Sequence, residues 1–478
     1  MLARLILIVA ALTFGAILFS WFHRLARAHR HSTIVTFILG LIVLETGLYE
    51  TIDVPTGIFH PSTGALKFET VDFIILVAVF ATLAAGVGER VLTKTSLLWV
   101  AFGGWIVSEA VVGYLNGNPH SNIAYEVKVV LYIALFTVAS RIPLRDPRSQ
   151  RSFARFLYFS AGMAGLTVFL GTIGHRVNLN LPGLRGAQLG QVGSIGANLF
   201  IGLGVLGLCM AICSERKRFP LLFVIAPLFI PALMAHQRAA LVTLTVSFLV
   251  LAALLPLARH KLRVTLAEGV LVVLATVALV ALPVFINGVI ESKRVIPFSR
   301  QLSFALAGGE KKLSAQDRVN QFNAARPLIA QRPMTGWGLG QTITYYEVGF
   351  RVFIVTYLTH NIVVDLLLRT GAVGLALFLL AVIGSLVQGF GAWRHASDPM
   401  VAATALASVT IIAGWLAHGL VESLFEHVQL APLFGIAIGL AQAATSQLRE
   451  PTEVYDIDPA DVYEETLGPP VPNVALSS

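Results

Sequence analysis

The stretch "TYLTHNIVVDLLLRTGAVGLALFLL", residues 356–380, begins as a polar loop and ends as an apolar helix. Asn361, Asp365 and Arg369 recur every four residues, a spacing that sets all three on one face of a short helix. Gly371 and Gly374 then open a segment without charge. The stretch therefore reads as an interfacial helix running into a membrane span, with His360 and Asn361 at its mouth.

The rest of the chain agrees with that reading. It has 478 residues, 56% hydrophobic and 13% charged, with a mean hydropathy of +0.77. A soluble domain carries roughly twice that charged fraction. Thirteen apolar runs are candidate spans, near 2–22, 33–49, 71–86, 97–115, 125–140, 156–174, 197–214, 221–236, 239–257, 264–288, 371–390, 401–424 and 430–447. Runs of this length cross a hydrocarbon core of about 30 Å. The expected fold is an all-α integral membrane protein of about 12–13 transmembrane helices. The first run has one leading Arg4 and no small-residue cleavage site, so it reads as a retained span.

Charge distribution sets the orientation. With residues 23–32 in the cytoplasm, the six short inner loops hold 17 Lys/Arg, whereas the short outer loops hold five: Lys67, Lys128, Arg176, Arg185 and Arg238. This bias is the positive-inside pattern. The net charge of +8 is scattered over loops and forms no continuous stripe, so no nucleic-acid partner is expected. Cys209 and Cys213, one turn apart in an apolar run, read as packing residues.

One outer loop is large. Residues 289–359 span 71 positions with nine Lys/Arg and four Asp/Glu, and long loops translocate regardless of charge. Within it, 314–332 has helical marks: Ser314 and Asp317 in capping-box spacing, and Val319, Phe322, Ala325 and Ile329 on one side. Pro333 and the glycine-rich turn "PMTGWGLGQ" follow. The membrane domain thus covers 1–447, and the acidic, Pro-rich tail 448–478 reads as a disordered cytoplasmic extension.

Three positions could carry chemistry. Arg318, in the first turn of the loop helix, is either a solvated cation or part of an anion site formed with free backbone N–H groups. Arg238, beside His236 and Gln237 at a short outer turn, either snorkels or has an anionic partner. His360 either serves the helix start or acts as a general base. Asp365 and Arg369 most simply pair on the wet face of the interfacial helix. Glu422 and Glu426, near the outer end of the twelfth span, are possible counter-ions. All three positions fall at the outer face, where arginine forks suit a diphosphate. The chain carries no HExxH, CxxC, Walker or G-x-S-x-G motif, so neither a metal nor a nucleotide cofactor is expected. A rival from another class, a secondary transporter or lipid-linked glycan flippase, calls for ionisable groups at mid-membrane. Glu45, Glu109 and Glu422 lie toward outer ends, with only Glu268 in an inner half.

Four segments in order resemble the O-antigen ligase and polymerase superfamily of bacterial surface-polysaccharide synthesis. They are "HQRAALVTLTVSFLVLAAL" (236–254), "DRVNQFNAARPLIAQRPMTGWGLGQ" (317–341), "THNIVVDLLLRTGAVGLALFLL" (359–380) and "GLVESLFEHVQLAPLFGIAIGLAQA" (419–443). The resemblance covers roughly residues 195–447, with Gln237 and Ala239 flanking Arg238 where the family often has Ser and Gly. It implies transfer of a glycan from undecaprenyl diphosphate to a glycan or lipid A-core acceptor at the outer face of the inner membrane, without added metal. Carried over, Arg238 and Arg318 would hold the diphosphate and His360 would activate the acceptor, with Gln237, Trp337, Asn361 and Glu422 also at the substrate. It does not separate ligase, polymerase and protein glycosylation.

Overall fold

A computed structural model of the chain describes residues 2–52, 70–86, 93–177, 194–213, 227–231, 238–257, 310–348, 351–422 and 431–448. Helices dominate because long apolar runs in hydrocarbon satisfy their backbone only within the segment itself. Before the large loop come α1 (Leu2–Arg27), α2 (His31–Ile52), α3 (Thr70–Ala85), α4 (Lys94–Leu115), α5 (His120–Ile133) and the short α6 (Phe136–Ala139). They are followed by α7 (Pro147–Val177), α8 (Ser194–Cys213) and α9 (Arg238–Leu254). The loop contributes α10 (Glu310–Gln331) and an antiparallel ribbon of β1 (Ile343–Glu347) and β2 (Val352–Thr356), in register Tyr345↔Ile354. The chain then forms α11 (Ile362–His395), α12 (Pro399–Gly419) and α13 (Ala431–Gln447).

Among the described residues four segments, Lys94–Leu115, His120–Ala139, Ile362–His395 and Pro399–Gly419, are long and apolar enough to cross a membrane. His31–Thr46, Thr70–Ala85, Ala197–Cys213 and Val242–Leu254 are apolar but shorter. Where an expected span falls on described residues, most of those residues are helical; turns fall at 134–135 and 140 within the run 125–140, at 86 and at 420–422, and Gly371 departs from helical geometry. The chain is an all-α membrane protein whose one described sheet is the ribbon in its loop. The span near 264–288, most of 221–236, loop residues 289–309 and the tail from 449 lie outside the described residues. So do His236, Gln237, Glu268 and Glu426.

The helices wear their apolar side chains outside as well as inside. Leu97, Val100, Val107 and Val111 on α4 and Leu380, Ile383 and Val387 on α11 are exposed. So much exposed apolar surface marks contact with another apolar phase, and in a bilayer these rows face lipid. Inside, Trp99 of α4, Phe378 of α11, Trp415 of α12 and Phe434 of α13 form an aromatic stack. Ring centroids lie 6.0 Å apart for Trp99–Phe378, 5.9 Å for Trp99–Phe434 and 5.9 Å for Trp415–Phe434. Such pairs contribute about 0.5–1.5 kcal/mol each beyond area burial. Cys209 and Cys213 are buried thiols, not a disulfide.

Four local expectations are corrected. Lys128 is no loop residue: it sits within α5, fully buried, with its ammonium 2.6 Å from the Asp72 carboxylate on α3. α10 begins at Glu310, so Ser314 lies inside the helix and does not cap it. Asp317 instead accepts from Val348 N (2.7 Å) and Asn320 donates to the Tyr346 carbonyl (2.8 Å), tying the ribbon along the helix. Val319 and Phe322 point outward, while Gln321 and Ala325 are buried, because the helix docks through the face that meets the ribbon and α11. Finally, α12 stops at Gly419, which puts Glu422 in the following turn, its N–H bonded to the His418 carbonyl at 2.8 Å.

Candidate active site

The interfacial helix and the span beyond it are separated by a backbone break. Asn361 caps α11, its side-chain oxygen accepting from Val363 N (2.9 Å) and Val364 N (3.2 Å). Gly371 then leaves helical geometry, at φ 65° and ψ −170°. Breaking a helix orphans backbone groups that must find partners when buried. The glycine-rich turn supplies them: Ala372 N donates to Pro333 O (2.8 Å) and Val373 N to Met334 O (3.2 Å). Trp337 N donates to Leu368 O (2.9 Å) and Gly338 N to Arg369 O (3.0 Å). On its other side the turn reaches α4, where Leu339 N donates to Glu109 O (2.9 Å). A Cβ on Gly338, which has φ +83°, would stand 2.2 Å from the Gly113 nitrogen. The turn is thus a wedge between the end of α4 and the break in α11.

Trp337 belongs to that wedge. Its indole N–H donates to the Leu328 carbonyl (2.8 Å) and the Arg332 guanidinium lies 4.1 Å over its ring. Its indole N–H is thus engaged within the loop.

Beneath the wedge, Asp365 and Arg369 are buried, not on a wet face as the four-residue spacing suggests. Arg369 Nε lies 3.1 Å from Glu126 of α5, and its Nη2 3.3 Å from Asp365. Nη2 also donates to the Tyr357 carbonyl. Glu126 accepts from Gly340 N (2.8 Å), and Asp365 accepts from the backbone N–H of Thr359 (3.2 Å) and from its hydroxyl. One buried group of three charges therefore grips both ends of the segment that carries the ribbon, at Gly340 and at Tyr357–Thr359.

His360 follows directly. It is half-buried, and its backbone N–H donates to Gln321 Oε1 (3.3 Å) on α10. Arg318, also half-buried, lies one turn before Gln321 on the same helix. The buried Gln321 thus ties the backbone of His360 to the helix that carries Arg318 one turn earlier. Asn361 Nδ2 donates to Leu420 O (3.0 Å), which carries the site to the end of α12. There His418 is buried, its Nδ1 3.3 Å from Thr243 Oγ1 and its Nε2 3.9 Å from the Glu422 carboxylate. Thr243 lies five residues after Arg238, the first residue of α9. Because α10 begins at Glu310, Arg318 lies in its third turn and not in the first, away from the free N–H groups of the helix start. The segments bearing Arg238, Arg318, His360 and Glu422 are joined through Thr243–His418, Leu420–Asn361 and Gln321–His360. Among the described residues no group of three or more His, Cys, Asp or Glu is placed to hold a metal ion.

Three of these residues were not singled out from sequence. Gln321 stands one turn from Arg318 and His418 four residues before Glu422, spacings that could have flagged both. Glu126 offered no signal, because its partners are 214 and 243 residues away.

No individually curated protein matches the chain. Residues 221–379 match the family model described as O-antigen ligase. The matched stretch takes in α9, α10, the wedge, the ribbon and the start of α11, with Arg238, Arg318 and His360, whereas Glu126, His418 and Glu422 lie outside it. Over this stretch, about a third of its length, the chain is similar to the O-antigen ligase family, a likeness that supports a glycan-ligating or glycan-polymerising type of domain.

Proposed function

We propose that this membrane protein transfers a glycan from an undecaprenyl-diphosphate-linked donor to a hydroxyl of a second glycan or of lipid A-core. The reaction takes place at the outer face of the cytoplasmic membrane. The observation that supports the reading is the hydrogen bond from His360 N to Gln321, one turn after Arg318 on α10, in a chain of contacts that reaches the segments carrying Arg238 and Glu422. In this mechanism the acceptor oxygen attacks the anomeric carbon as its proton passes to the His360 imidazole. The bond from that carbon to the diphosphate oxygen breaks. Arg318 and Arg238 hold the departing diphosphate, whose added charge a guanidinium fork can meet with two parallel bonds. Asn361 and Gln321 orient the histidine, and Glu422 orients His418 behind them. The carrier diphosphate is the leaving group, so no nucleotide takes part.

The test is transfer from purified lipid-linked donor in proteoliposomes, with chelator present throughout. His360→Ala should lower the rate by roughly the 10²–10⁴-fold of a lost general base. Arg318→Lys and Arg238→Lys should each cost about one to two decades, because lysine keeps the charge and loses the fork. Full activity of both lysine variants would remove the arginine clamp, and loss of activity in chelator would point to a metal. A flippase or secondary transporter would move lipid-linked glycan across the vesicle membrane without altering its carrier or length.

A further inference from the structure

At the opposite end of the bundle a cavity of about 390 Å³ opens between α2 and α7. Its mouth is basic. Arg30 stands just before α2, and Arg148, Arg151 and Arg155 follow one another around the first turns of α7; all four are exposed. Asp146 also lines the mouth, but its carboxylate accepts from Arg148 N (2.9 Å) and so serves the start of α7. Deeper in, the lining changes character. Thr36 and Ser152 meet hydroxyl to hydroxyl at 2.9 Å, and beyond them lie Phe37, Gly40, Phe156 and Phe159. Gly40 keeps this depth open: a Cβ there would just touch the Phe159 ring, at 4.0 Å.

The groove therefore grades from four guanidinium groups to an apolar floor over about ten residues of helix, roughly 15 Å. That gradient matches an amphiphile with an anionic head and a hydrocarbon tail, whereas a soluble anion has no use for the aromatic floor. The basic-residue bias assigns this end of the helices to the cytoplasmic leaflet, where anionic phospholipids gather juxtamembrane arginines. We infer that the α2–α7 groove is a binding site for one anionic phospholipid, its phosphate among Arg30, Arg148, Arg151 and Arg155 and an acyl chain along Gly40 and Phe159. The site is remote from the glycan-transfer chemistry and does not depend on it.

The experiment uses the full chain, delipidated in detergent and titrated with phosphatidylglycerol or with phosphatidylcholine, with retained lipid counted by native mass spectrometry. Wild-type protein should retain one phosphatidylglycerol in preference to phosphatidylcholine. The double variant Arg30→Ala/Arg155→Ala removes one arginine from each side. It should weaken retention roughly twenty- to thirty-fold, from about fivefold per basic residue at a charged surface. Gly40→Leu fills the apolar depth and leaves every charge in place; it should weaken retention as well. No preference in the wild type would overturn the inference, as would undiminished retention in the double variant. Retention by Gly40→Leu at wild-type strength would show plain surface attraction and no groove. Displacement of the lipid by millimolar inorganic phosphate would assign the arginines to a free anion.

Discussion

Arg369→Ala should release the ribbon segment from the bundle. Arg369 is 4% exposed and stands between Glu126 at 3.1 Å and Asp365 at 3.3 Å. Its removal leaves two buried carboxylates facing each other and frees the Tyr357 carbonyl it holds. Breaking a buried ion pair by removing one partner costs about 3–5 kcal/mol. At 1.4 kcal/mol per decade, that is roughly two to three and a half orders of magnitude in the closed population. The readout is amide hydrogen exchange at Gly340 and Thr359, whose N–H groups are held by those carboxylates, alongside thermal unfolding in detergent. Exchange at both amides should accelerate and the transition temperature should fall. The triple variant Arg369→Met/Glu126→Gln/Asp365→Asn should recover part of the loss, because the amide oxygens still accept both N–H bonds and no charge remains buried. Unchanged protection in Arg369→Ala would refute the clamp, and a triple variant less stable than the single one would refute the desolvation argument behind it.

Gln321→Ala removes the acceptor of the His360 N–H and should slow glycan transfer about fivefold, the value of one neutral hydrogen bond, without a matching loss of stability. Gln321→Glu keeps an acceptor and should stay closer to wild type; equal loss in both variants would take the histidine's backbone bond out of the argument. Gly338→Ala adds a Cβ 2.2 Å from the Gly113 nitrogen at a positive φ, so the wedge must shift. A yield of folded protein and a melting temperature equal to wild type would show that this contact does not hold the wedge. The orientation predicts that reporters at residues 23–32, 141–155 and 460 read inside and one at residue 320 reads outside. An inside signal at residue 320 would put the proposed site on the wrong face for a lipid-linked glycan.

The membrane class and the helical body were legible from residues alone, because hydropathy is a local property and a run of 17–25 apolar residues has few structural options. The same locality made the short helix carrying Asn361, Asp365 and Arg369 and the change of segment at Gly371 readable: the four-residue spacing and the glycines all lie within one short stretch. What a residue faces is not local. Asp365 and Arg369 read as a solvated pair until Glu126, 243 residues from Arg369, closed over them, and Lys128 read as a loop cation until Asp72 met it inside the bundle. The inward face of α10 was likewise misjudged, since Gln321 turns inward only because His360, 39 residues later, brings a backbone N–H to it. Burial of a polar group is decided by whether a partner arrives, and those partners come from distant parts of the chain. Hydropathy along the chain therefore determined the spans, and only the tertiary structure determined which charges lie among them.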